Sequence, residues 1–285
     1  MPSQTGFAHL NGTQVYYEIA GSGAPLVLVH AGIADSRMWD EQFSVLAHDF
    51  TVVRYDMRGF GQTPMTAGTF AHRHDLAALL QHLNITHTAL LGCSMGGKTI
   101  IDFALEFPDI VTALIPVAAG VSGYVVEGDH PAQWNALIAA YEQGDLAQTS
   151  EYEVQIWVDG PHRRPDQVPA SIRDRVRAMN LIALATPDDL GTEQPLDPPA
   201  ISRLHEIHVP TLVIMGELDQ PRILEQCAYI AQEIPRAETV TLPTAHLPMR
   251  LRRPSPSVAS PRCSRRDEKR DGHRRMRRWF PPVHK

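Results

Sequence analysis

The chain has 285 residues, 43% hydrophobic and 20% charged, with a net charge of −6. That is enough for one large α/β domain or two modest ones around a sizeable core, and it excludes a wholly disordered chain. No apolar run approaches the roughly 20 residues needed to cross a bilayer, which excludes a protein with many membrane spans. The opening MPSQTGFAHLNG lacks a basic stretch followed by an apolar one, so no secretory signal is read there. Cys93, Cys227 and Cys263 are too few and too scattered for a disulfide framework or a zinc site. The expectation is a soluble, cytoplasmic protein. Charge is unevenly spread: residues 250–285 hold 13 Lys and Arg against 3 Asp and Glu, which leaves a net of −16 on residues 1–249. An acidic body argues against nucleic acid as a partner.

In chain order, 7–10 and 13–19 flank Asn11-Gly12, a favoured two-residue hairpin turn, and Val15, Tyr17 and Ile19 share one face. LVLVH at 26–30 is continuously apolar, as in a strand buried on both sides. Strand and helix patterns then alternate: strand 51–55, helix 72–83, strand 88–91, helix 95–107, strand 112–118. A late strand at 210–215, a helix at 222–233 and a short strand at 238–242 resume the alternation. Such alternation predicts a mostly parallel sheet with helices on both faces. Between about 120 and 205 the strand pattern stops, and helical stretches at 131–143, 149–158 and 170–185 read as a cap over the sheet. Residues 250–285, dense in Arg, Pro and Ser, read as a disordered or atypical tail. The organisation expected is a core at 1–120, a helical cap at 121–205, the rest of the core at 206–249, and the tail.

Gly92-Cys93-Ser94-Met95-Gly96 fits G-x-S-x-G and lies between a strand and a helix. In that setting a serine sits on a strained turn with its hydroxyl lifted clear, and glycines two residues before and after relieve backbone collisions. The same stretch, Gly92 to Thr99, also fits the phosphate-binding G-x-x-x-x-G-K-[ST] pattern. That reading needs a following strand ending in a magnesium-binding carboxylate, and TALIPVAAG has none. The hydrolase reading needs a late acid and a late histidine. Asp219 follows the strand PTLVIM and His246 follows the last strand, giving the order Ser, Asp, His at the carboxyl ends of strands. Glu217 is the fallback acid, and a helix cap before Arg222 is the plainer role for Asp219. The oxyanion hole is expected from the amides of Met95 and Gly32, with His30 bracing its loop. Cys93 reads as a packed thiol, and Asp56 with Arg58 as a structural ion pair. Trp134, Tyr141, Trp157 and Met179 are candidates for substrate selectivity.

HAG at 30–32, Trp39, DMRGFG at 56–61, GCSMGG at 92–97, VPTLVIMGELD at 209–219 and TAHLP at 244–248 together resemble the α/β-hydrolase superfamily. The nearest group is the helical-cap one of carboxylesterases and enol-lactonases. The resemblance spans residues 7–248. It implies an α/β-hydrolase fold, a serine hydrolase with Ser94, Asp219 and His246 as its triad, and no cofactor or metal. Related dehalogenases and epoxide hydrolases carry Asp at the position of Ser94, and the carbon–carbon bond hydrolases usually carry Trp where this chain has Leu247. A carboxylesterase acting on a small-molecule ester or lactone is therefore expected, with an enol-lactonase or a carbon–carbon bond hydrolase as alternatives. A non-catalytic ligand-binding protein is the alternative of another class. No nucleic acid or membrane partner is expected, and a homodimer is compatible with the fold. Two departures stand out. Ala31 replaces the commoner glycine of the oxyanion loop, and the family's closing helix is replaced after TAHLP by the basic tail, as in a frame-shifted terminus. The coding DNA decides the latter: no alternative frame encoding an amphipathic helix after 248 would exclude it.

Overall fold

Asn11 and Gly12 take positive φ (46° and 79°) and close the hairpin between β1 (Gln4–Leu10) and β2 (Thr13–Ala20). This is seen in a computed structural model, which describes residues 3–125, 130–187 and 190–247. The tail at 250–285 lies outside the described residues, as does Pro248 of TAHLP. After the hairpin come β3 (Pro25–Val29), α1 (Asp40–Leu46), β4 (Thr51–Tyr55), β5 (Gly68–Phe70), α2 (His72–His82), β6 (Thr88–Cys93), α3 (Met95–Glu106) and β7 (Val111–Val117). Then follow α4 (Trp134–Glu142), α5 (Leu146–Val154), α6 (Ala170–Leu184), β8 (Gly191–Glu193), β9 (Thr211–Gly216), α7 (Pro221–Glu233) and β10 (Ala237–Leu242).

Eight strands form one sheet in the order β1-β2-β4-β3-β6-β7-β9-β10. The pairs β1–β2 and β2–β4 are antiparallel, and all other neighbours are parallel. The unbroken apolar run of β3 is explained by its neighbours on both sides. Val27 and Val29 enter one buried cluster with Leu76, Leu79 and Leu80 of α2, Ile100 and Phe103 of α3, and Ile230 of α7. Leu26 and Leu28 enter the opposite cluster with Met38, Trp39 and Phe43. A strand with period-two side chains must be apolar at every position when both faces are covered. Each such buried aliphatic side chain contributes about 1.5–3 kcal/mol.

Three sequence expectations change. The stretch after β7 does contain a strand: β8 pairs in parallel with β5 as a separate two-stranded sheet. The helix expected at 149–158 ends as an α-helix at Val154 and continues as one π-turn, Gln155–Asp159. Arg58 does not pair with Asp56. Its guanidinium grips Asp75 with two hydrogen bonds of 2.9 Å, while the Asp56 carboxylate accepts the amides of Ser36 and Gln62, each at 2.8 Å. Adjacent spacing suggested the first pair, but α2 brings a carboxylate of matching fork geometry to Arg58.

Candidate active site

β6 runs into α3 through Ser94, whose backbone stands at φ 54° and ψ −114°, a strained conformation for a non-glycine residue. The flanking glycines make that turn physically attainable. A Cβ on Gly92 would sit 2.3 Å from the Gly96 carbonyl oxygen. One on Gly96 would sit 2.5 Å from the carbonyl oxygens of both Val29 and His30. Neither neighbour is a side chain that could swing away. The Ser94 amide donates to Val117 O on β7 (2.9 Å), and Ser94 O accepts the first helical bond, from Lys98 N (2.9 Å). The Ser94 hydroxyl makes no hydrogen bond among the described residues. In unliganded sites the bond between nucleophile and base is commonly long or unmade.

The phosphate-loop reading of the same stretch fails on the side chains it would use. Lys98 is held by Glu193 at 3.3 Å and faces Asp102 at 3.9 Å. The Thr99 hydroxyl donates to Met95 O at 2.9 Å. Lys98 is engaged chiefly with β8, and Thr99 within α3.

Asp219 and His246 meet directly. His246 Nδ1 lies 2.8 Å from Asp219 Oδ2, and both side chains are buried. The second carboxylate oxygen, Oδ1, accepts the Gln220 amide at 2.7 Å. With an ionised acid, Nδ1 must carry the proton, which leaves Nε2 with its lone pair. The loops bearing these residues are laced together. Glu217 N donates to Leu242 O (2.9 Å) and Leu218 N to Thr244 O (3.0 Å). They cross at Gly216, where a Cβ would lie 2.4 Å from the carbonyl oxygens of Thr244 and Ala245. Glu217 is exposed, so it is not the acid facing His246. Nor does Asp219 cap α7: the residue at that position is Gln220, and its side chain forms no cap.

The histidine loop comes against the serine turn through Cys93, whose thiol reaches His246 O at 3.6 Å. Burial pushes the Cys93 thiol well above its ordinary range, so it stays protonated and packed. The segment between β7 and β9 also touches the site. The π-turn presents Trp157 to the imidazole, with ring centroids 4.8 Å apart. Gln220 Nε2 donates to Ile156 O at 3.0 Å, which fastens that turn to the acid loop.

His30 follows β3 and is fully buried. Its Nε2 lies 2.9 Å from the Met57 amide, which can only donate, so Nε2 is the acceptor and Nδ1 carries the hydrogen. That hydrogen goes to Ala31 O at 2.9 Å, which also accepts from Ala34 N at 3.1 Å. Burial holds His30 below its ordinary pKa, in keeping with this neutral form. In a trans peptide the carbonyl and the next amide point in opposite directions. Fixing Ala31 O toward the ring therefore turns Gly32 N–H the other way. Neither that amide nor the Met95 amide at the start of α3 has a protein acceptor among the described residues. Gly32 stands beside Met95, and a Cβ on it would lie 3.5 Å from Met95 Cβ. The extra methyl of Ala31 is absorbed in the buried cluster around Met38 and Trp39.

Of the selectivity candidates, Met179 is buried in the packing around Val154 and Val176, and Tyr141 is exposed. Trp134 and Trp157 are half-buried. Sequence reasoning did not single out Gln220 or Arg222, which touch the segment around Trp157. Their position just beyond the acid, at the start of α7, was the available signal.

A mostly parallel sheet with a serine on a strained strand-to-helix turn and a buried acid–histidine pair beyond the later strands defines an α/β-hydrolase architecture. The chain belongs to this family: its model, described as "alpha/beta hydrolase fold", matches residues 24–249. An uncharacterised protein of Mycobacterium tuberculosis is 35% identical over 42% of this chain and 36% of its own length. The first curated relatives match over only about a third to a half of their own length. A pimeloyl-[acyl-carrier protein] methyl ester esterase of Vibrio atlanticus is 27% identical over 79% of this chain and 87% of its own. Among solved structures, the enol-lactonase from Burkholderia xenovorans LB400 superposes with a TM-score of 0.68 at 25% identity, covering 85% of this chain and 93% of its own. Among the described residues no helix is long and apolar enough to cross a membrane.

Proposed function

We propose that the protein is a serine hydrolase that cleaves small carboxylic esters through an acyl-enzyme. The observation that carries this reading is the buried Asp219–His246 pair, bonded through Nδ1, on a loop in contact with the turn that bears Ser94. Such a pair leaves Nε2 as the base for a serine hydroxyl. On this reading Ser94 Oγ attacks the ester carbonyl and its proton passes to His246 Nε2. The Gly32 and Met95 amides, neither of which has an acceptor among the described residues, receive the oxyanion. His246 then protonates the departing alcohol, and a water deprotonated by the same imidazole releases the acid and frees Ser94. Asp219 steadies the imidazolium throughout. The substrate is a small molecule reaching Ser94 past Trp157. No nucleic-acid or membrane partner and no cofactor enters this chemistry.

The likeness to an enol-lactonase supports a second reading, that the ester is cyclic. The acyl chemistry is the same, and lactones belong in the substrate panel.

The test is Ser94→Ala. It is expected to abolish p-nitrophenyl acetate turnover and labelling by a fluorophosphonate while the circular dichroism spectrum is retained. Undiminished turnover in the variant would overturn the assignment. Absence of both turnover and labelling in the unaltered protein would favour a ligand-binding role instead.

A further inference from the structure

α7 opens at Pro221, just beyond the acid loop, and its second residue is Arg222. The guanidinium lies between two indole rings, with Cζ 5.6 Å from the Trp134 centroid and 5.5 Å from that of Trp157. Trp157 is the ring that packs on His246, so a single aromatic side chain separates the cation from the imidazole. On its far side Trp134 is stacked on His130 (4.8 Å, 8° between planes), and among the described residues the side-chain polar contact of the guanidinium is His130 Nδ1 at 3.5 Å, a long one.

This is an unfavourable place for a positive charge. Among the described residues no carboxylate forms an ion pair with Arg222. The first turn of a helix adds the positive end of the macrodipole. Burial lowers the pKa of Arg222, with Asp219 as the opposing charge. Asp219 is spoken for: one oxygen holds His246 and the other accepts the Gln220 amide. The cation–π contacts hold the guanidinium in orientation without neutralising it.

We propose that Arg222 binds a free carboxylate of the substrate, so that the preferred substrates are esters or lactones whose acyl part ends in a second, ionised carboxyl group. Half-esters of short dicarboxylic acids are the simplest members of that class. The planar fork of the guanidinium matches a carboxylate with two parallel hydrogen bonds. The indoles of Trp134 and Trp157 flank the carbon chain between that group and the scissile carbonyl. The carboxylate supplies an ion-pair partner that Arg222 does not find among the described residues. Distance then selects chain length, because the anion must reach Arg222 while the ester carbonyl reaches Ser94.

The inference rests on the serine-hydrolase reading for turnover but can be tested without it. Hydrolysis of the monomethyl esters of succinate, glutarate and adipate is followed by pH-stat. The comparison is with methyl esters of monocarboxylic acids of the same length, in the unaltered protein and in Arg222→Met and Arg222→Lys. At the best length the half-ester is expected to exceed its neutral counterpart in kcat/KM by roughly ten- to a hundredfold, the range of a charge-assisted bond. Arg222→Met is expected to erase that ratio, mainly through KM, and Arg222→Lys to restore part of it. In parallel, monomethyl and dimethyl glutarate are titrated by calorimetry into Ser94→Ala and into Ser94→Ala/Arg222→Met. Tighter binding of the monoester that disappears with Arg222 supports the inference even if no ester is turned over. Equal handling of charged and neutral esters, or a preference that survives Arg222→Met, overturns it.

Discussion

Replacing Asp219 by Asn tests the proposed mechanism at the hydrogen bond that sets the histidine's proton. The substitution is isosteric, and the structure dictates which way the new amide faces. Gln220 N–H donates to Oδ1 at 2.7 Å, and a backbone amide left without an acceptor in a buried site costs about 1–3 kcal/mol. The carboxamide oxygen therefore stays on Gln220, and the NH2 group takes the Oδ2 position, 2.8 Å from His246 Nδ1. A donor now faces Nδ1. The imidazole answers by moving its hydrogen to Nε2, so it can no longer accept the proton of Ser94. The expected loss in kcat is about 10⁴-fold at neutral pH, the size of effect seen when a triad histidine is held in the wrong tautomer. That corresponds to about 5.5 kcal/mol of activation free energy. The assay is p-nitrophenyl acetate turnover with active-site titration, alongside thermal melting. A drop of less than tenfold in a well-folded variant would refute the assignment of Asp219, and an intact rate would remove the triad altogether.

Two further predictions concern the frame that holds the site. Gly96→Ala places a methyl 2.5 Å from two backbone carbonyl oxygens at the end of β3, and should destabilise by about 4 kcal/mol or more, read as a lowered urea midpoint. A midpoint within experimental error of the unaltered protein would show that the β3–α3 approach is softer than described. His72 is buried and its pKa is lowered to about 4 from 6.5, chiefly by desolvation. Below pH 6.5 the unfolded chain takes up a proton that the fold resists, so stability falls with pH from 6.5 down to about 4. The loss from this residue is about 3 kcal/mol at ~1.4 kcal/mol per unit. His72→Leu should flatten that stretch of the pH–stability curve in urea melts, and an unchanged slope would count against the burial of its neutral form.

The legible parts of this protein are those where one local rule decides. Continuous apolar runs gave β3 and β6 because both sheet faces are covered, and G-x-S-x-G marked the serine turn because the Gly92 and Gly96 backbones admit no Cβ. The meeting of Asp219 with His246 could be expected from their positions beyond strand ends of one open sheet. What escaped the sequence depends on partners far along the chain. β5 and β8 are three residues each and pair across more than a hundred intervening positions, too short to carry a pattern. Arg58 found Asp75 on α2 in preference to its near neighbour Asp56, because a bidentate grip outweighs proximity in sequence. The π-turn at 155–159 reads as ordinary helix, and only the approach of Trp157 to His246 makes its extra residue intelligible.

The lacing of the acid loop to the histidine loop sets an order of events for the ribosome. The groups that frame Ser94 and the amides of Gly32 and Met95, down to Met57 and Val117, all lie before residue 118, with more than half of the polypeptide still to be made. The base arrives only when β10 has docked on β9 and drawn residue 246 to its carboxylate. On the proposed mechanism, the nucleophile and its base come from opposite ends of the described fold, and Ser94 gains its proton acceptor only after β10 has been made.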